Sequence, residues 1–129
     1  MRNFLTLLFA VFLISCGPNE SEKLYEEVMF LHDEVMPKIG DIRKVEKSIK
    51  AEIAKTLAED STADVSHLDD QLVAAQSAGA GMMNWMRGFK ADALESMDED
   101  EKVLYLKEEK IKIEKVNKDI KKVLKIEEK

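Results

Sequence analysis

Cysteine is almost absent from this chain, and its single occurrence, Cys16, excludes any disulfide within it. Aromatic residues are few, and three of the five phenylalanines, Phe4, Phe9 and Phe12, lie in the first fifteen residues. Any core beyond them must be built from aliphatic side chains and methionine. Only two prolines and five glycines punctuate 129 residues, which disfavours a turn-rich β architecture. Positive charge is in deficit, with a formal net charge of −6 and no cluster of Lys and Arg interleaved with aromatics, so nucleic acid is excluded as a partner. The one long apolar run, Phe4 to Ile14, is about half the roughly 20 residues that a membrane-spanning helix needs.

That run is instead the core of an export signal. Arg2 precedes it, and Leu13-Ile14-Ser15-Cys16 closes it in the form of a lipobox, where a thiol is required to carry a diacylglyceryl group. The expectation is a signal peptide over residues 1–15, removed before Cys16, and lipid attachment at Cys16. Cleavage removes Arg2 and brings the formal charge to −7. Residues 16–22 read as a lipidated tether and residues 23–129 as one helical domain, large enough to bury a core without disulfide or metal. The location implied is the cell envelope, in the outer membrane, facing the periplasm or the cell surface. The partner implied is the membrane, reached through the lipidated Cys16.

Apolar residues recur at spacings of three and four, with no alternating β-branched run, so the chain is all-α. Leu24, Val28, Leu31, Val35, Ile42, Val45, Ile49 and Ile53 share one stripe, predicting one amphipathic helix from Ser21 to about Leu57. Pro37 must kink or break it, and the apolar phase that survives the proline favours a kink. Capping chemistry at Glu59-Asp60-Ser61-Thr62 separates a second segment, about Ala63 to Lys90, with the stripe Leu68, Leu72, Ala75, Gly79, Met82, Met86 and Phe89. Its small residues from Ala74 to Gly81 admit a close neighbouring backbone or a local break. Ser96-Met97-Asp98-Glu99 offers a capping box for a third helix to about Glu127, whose seam is Leu106, Ile113, Val116, Ile120 and Val123, interrupted at Glu109 or Lys110. Short linkers predict an up-down-up three-helix bundle with long, coiled-coil-like helices; an open hairpin with a projecting third helix is the competitor.

Met29, His32 and Met36 lie within about 60° of one another on the first helix. In a hairpin turning near Asp60, facing residue numbers sum to about 120, which sets Met36 opposite Met83 to Trp85 and His32 opposite Gly88. Met82, Met83 and Met86 thus meet the first group. Thioethers with one imidazole suit Cu(I), and an indole face can shield a cation. The same residues also suit plain packing around a proline kink, and His32, Asp33 and Glu26 could form a harder metal site. His67 is about 25 Å along the helix from Met36's partner and cannot join. Catalysis is not expected: His32 and Asp33 are adjacent and point about 100° apart, the only thiol is lipidated, and Gly79-Ala80-Gly81 lacks the remainder of a phosphate loop. The basic face of Lys112, Lys115, Lys118, Lys121, Lys122 and Lys125 reads as solvated, or as a contact for anionic lipid or polysaccharide.

Three segments carry a family likeness: His32-Asp33-Glu34-Val35-Met36-Pro37-Lys38, then Met82-Met83-Asn84-Trp85-Met86 with Phe89, then Tyr105-Leu106 through Glu108-Glu109-Lys110 to Ile113-Glu114-Lys115-Val116. In these the chain resembles small helical lipoproteins of gram-negative bacteria, often labelled viral A-type inclusion protein. The likeness spans most of the mature chain; the first two segments are fairly specific, while the third fits many charged coiled coils. It implies a lipid-anchored helical protein and transfers no activity, substrate or ligand. The expected function is therefore non-enzymatic: binding an envelope partner, or scaffolding. The alternative is a Cu(I)-binding lipoprotein using Met29, His32, Met36, Met82, Met83 and Met86. A heptad-driven self-association would require Ile113, Val116, Ile120 and Val123 to be exposed in the monomer.

Overall fold

A computed structural model describes residues 17–126, so the expected signal peptide and Cys16 lie outside the described residues. The described chain is helical throughout, without a strand. Helix α1 spans Glu20–Val35, a 3-10 turn covers Met36–Lys38, α2 spans Ile39–Glu59, α3 Ser66–Gly88 and α4 Glu99–Leu124, the last preceded by a 3-10 segment at Ala91–Ser96.

Asn19 opens α1 through a reciprocal capping box, its side chain accepting from the Glu22 N–H while the Glu22 carboxylate accepts from the Asn19 N–H. Pro37 cannot donate to the Asp33 carbonyl, and the chain answers with the 3-10 turn rather than a full break. The expected single helix is thus two helices in one phase, with Val28, Val35, Ile39 and Ile42 all buried. α3 runs unbroken through Gly79 and Gly81. No backbone crowds either glycine: a Cβ at Gly79 would stand 3.5 Å from Ile42 Cγ2, and one at Gly81 3.7 Å from Val116 Cγ2, both ordinary contacts.

The third helix is capped two residues later than the sequence suggested. Asp98 accepts from the Glu101 N–H and Glu101 answers to the Asp98 N–H. Ser96 instead belongs to the 3-10 segment, its hydroxyl donating to the Ala93 carbonyl. At the other end Lys125 takes the left-handed conformation (φ 55°), and the Ile126 N–H returns to the Lys121 carbonyl, closing α4 before Glu127.

α4 lies parallel to α1. Glu99 accepts from the Ser21 hydroxyl and N–H at one end, and Asn117 donates to the Leu31 carbonyl and to Glu34 at the other. α3 runs back against α2 and α4, with Gly79 against Ile42 and Gly81 against Val116. This is the up-down-up bundle, and its shared core is Val28, Val35, Ile39, Ile42, Ala78, Met82, Trp85, Ile113, Val116 and Ile120. Burial of Ile113, Val116 and Ile120 occupies the seam that self-association would need. Asn117, only 3% exposed, reads out the α1–α4 register, because a slip would strand its amide in the core. The Lys121 ammonium, and secondly the Asn117 amide, donate to Glu34 and hold its carboxyl below the usual carboxylate range. α4 reaches α2 near Val45 and Ile49, whereas α2 continues to Glu59; beyond this level α2 and α3 pair alone as a hairpin.

Candidate functional site

The proline turn sets the last turn of α1 against the C-terminal half of α3. His32, in that last turn, leaves 15% of its side chain exposed. Its ring lies 5.6 Å from the Trp85 ring, centroid to centroid, close to the Gly88 level that antiparallel numbering suggested. Although His32 and Asp33 leave the helix about 100° apart, Nδ1 and the Asp33 Oδ1 are 2.8 Å apart. Neighbouring side chains that leave a helix 100° apart can still meet when both turn toward their shared edge. With the proton on Nδ1 this contact fixes the tautomer and leaves Nε2 as the free nitrogen.

The methionines divide by burial. Met82 is fully enclosed in the core, Met29, Met36 and Met83 are half-buried, and Met86 is exposed. Met36 and Met83, on opposite helices, both pack against the cluster that holds Met82 and Trp85. Met36, Met82 and Met83 therefore share one cluster, Met29 and Met86 are not part of it, and His67 sits exposed at the start of α3. Among the described residues no three His, Cys, Asp or Glu side chains converge as a metal site, so His32, Asp33 and Glu26 do not assemble one.

Trp85 is the hinge of an aromatic chain that sequence reasoning did not trace. It stacks on Phe89 at 5.0 Å, and Phe89 in turn meets Tyr105 of α4 at 6.0 Å and Tyr25 of α1 at 6.3 Å. The Trp85-Phe89 spacing of four residues was the available signal; the two tyrosines come from helices whose register had to be known. Tyr105 is tied down by accepting the Lys90 N–H at 2.7 Å. The Trp85 Nε1–H is enclosed and has no hydrogen-bond partner. Beyond Trp85, toward α4, a cavity of about 360 Å³ opens beside Gly81, Gly88 and the carboxyl-bearing Glu109. Glu109 is only 3% exposed, and Lys112 reaches it at 2.7 Å. That contact favours the Lys112 ammonium and raises its pKa above the usual lysine value. Compared with known protein families, curated proteins and solved structures, the chain matches none.

Proposed function

We propose that this chain is a lipid-anchored cell-envelope protein that binds a partner or scaffolds the envelope without catalysis. The observation that carries the partner half is the exposure of three large apolar side chains, Phe30, Leu104 and Ile111, each about two-thirds exposed. Leu104 and Ile111 are one heptad apart and so share a face of α4, outside the buried seam. The lipobox supports the anchor. Only residues 17–19 separate Cys16 from α1, a span of about 10 Å, so a lipid there would hold the bundle close to its bilayer. Residues 16–22 accordingly include the first turn of α1, not only a tether.

Changing Cys16→Ser should abolish incorporation of labelled palmitate and move the chain from the membrane to the soluble fraction. Retention of both label and membrane association would refute the anchor. A photocrosslinking residue at Ile111 should give one discrete protein adduct in cells, and a smear indistinguishable from the same residue at Lys50 would refute a partner on this face.

A Cu(I) site is the second reading, favoured by the Asp33-held His32. A metal-binding imidazole characteristically gives its other nitrogen to a carboxylate, as Nδ1 does here, leaving Nε2 free on a ring that lies 5.6 Å from the Trp85 ring. An anaerobic Cu(I) competition titration on the chain from residue 17 onward should show one equivalent bound. His32→Ala and Met36→Leu should each weaken it by at least about tenfold, or about 1.4 kcal/mol. Absence of competitive binding by the parent would assign the cluster to packing.

A further inference from the structure

Where α4 stops, the bundle leaves a recess of about 430 Å³ between α2, α3 and the last turn of α4. Its origin is local. Of the four α3 residues that line it, Ala74, Ser77 and Ala78 are too short to fill it and Gln71 is the one long side chain, while Val45 and Ile49 of α2 and Val123 of α4 stand around the gap. Interiors are otherwise close-packed, and a space of this volume falls in the range of small-molecule sites, roughly 300–1,000 Å³. Its apolar part, Val45, Ile49, Ala74, Ala78 and Val123, offers water no side-chain hydrogen bond, while Gln71, Ser77 and Asp119 stand beside it as polar neighbours.

The charge at its rim has a sign. Lys122 and Lys125 line the recess and make no ion pair among the described residues, whereas the rim carboxylate of Asp119 is engaged by Lys115. The ligand that matches has an apolar body and a single compact anionic head. Walls supplied by three helices close the recess on three sides, which suits one flexible chain better than the continuous ridge of a partner helix. We propose that this recess binds an unesterified long-chain fatty acid, its carboxylate at Lys122 and Lys125 and its chain along Val45, Ile49, Ala78 and Val123. The site is remote from the His32-Trp85 cluster and does not require a lipid on Cys16.

The test uses the full chain in whichever cell fraction carries it, with a diazirine-bearing palmitic acid and the matching alcohol as photoprobes, adducts being mapped by mass spectrometry. The acid should label α2 near Val45 to Ile49 and α3 near Ala74 to Ala78. Ala74→Phe, at an exposed lining position, should cut that labelling by about tenfold, roughly the loss of one good contact set. If circular dichroism shows this variant unfolded, Ser77→Leu, also at an exposed lining position, takes its place. Lys122→Glu with Lys125→Glu should cut labelling by the acid about tenfold while leaving the alcohol unchanged. Adducts scattered over the surface, or insensitive to the blocking variant, would overturn the site. Equal loss of acid and alcohol would overturn the carboxylate contact. Stronger labelling by a lysophosphatidylglycerol probe would overturn the free acid as ligand.

Discussion

Replacing Trp85 by Ala is expected to lower the stability of the bundle by about 3–5 kcal/mol, the range for deleting a large buried aromatic side chain. Trp85 is 7% exposed, touches helices on both sides, and anchors the run of rings through Phe89 to Tyr25 and Tyr105. Its removal would enlarge the space that it lines together with Glu109. Trp85→Phe should behave differently. The indole N–H is enclosed without a partner, a condition that costs about 1–3 kcal/mol. Phenylalanine keeps the stack on Phe89 while discarding that donor, so its loss of area is offset and stability should stay within about 1 kcal/mol of the parent. Urea unfolding followed by far-ultraviolet circular dichroism measures both, and an unchanged denaturant slope would confirm that the native and unfolded states are otherwise alike. If Phe costs as much as Ala, the indole nitrogen has a partner in solution, and His32 is the neighbour to examine first.

The helices could be read from the sequence because their signal is periodic and local. The stripe from Leu24 to Ile53 kept its phase across Pro37, and the structure keeps the same face buried through the 3-10 turn. The turn near Asp60 fixed the antiparallel numbering well enough to bring His32 to Trp85. What escaped was decided by competition between near-equal local choices or by three-dimensional register. Ser96 and Asp98 are both good caps with Glu three residues on, and only the packing of the preceding segment, where Ser96 turns back to Ala93, gives the cap to Asp98. Small residues from Ala74 to Gly81 suggested a close backbone, yet side chains stand against both glycines, and recesses open beside Ala74 to Ala78 where α4 ends and beside Gly81 near Trp85. Asn117 stands among the charged residues of α4 with no local pattern that marks it. Its amide is buried because the α1 carbonyl of Leu31 and the Glu34 carboxylate arrive opposite it, a contact across 86 positions that no local pattern encodes.

Glu109 poses the sharpest conflict between local pattern and packing, and Glu109→Leu is expected to stabilise the fold. The seam of α4 runs Leu106, Glu109, Ile113, Val116 and Ile120, so a carboxylate stands at an apolar position of the heptad and is 3% exposed there. Its ion pair with Lys112 is 2.7 Å long, but the Lys112 side chain is 57% exposed and its attraction is screened by water. Burial cost falls mainly on the carboxylate. Replacing a buried ion by a well-packed apolar residue is commonly neutral or gains about 1–4 kcal/mol, and leucine would also fill part of the adjoining cavity beside Trp85. Lys112→Ala should instead destabilise by about 1–2 kcal/mol, below the usual cost of breaking a fully buried pair because one partner is wet. In the double variant Lys112→Ala should cost almost nothing, since no charge remains to be orphaned. The coupling read from this cycle by urea unfolding separates the pair from packing. A loss of stability in Glu109→Leu would mean that the carboxylate has a second partner, and the cavity it shares with Trp85 is where that partner would sit.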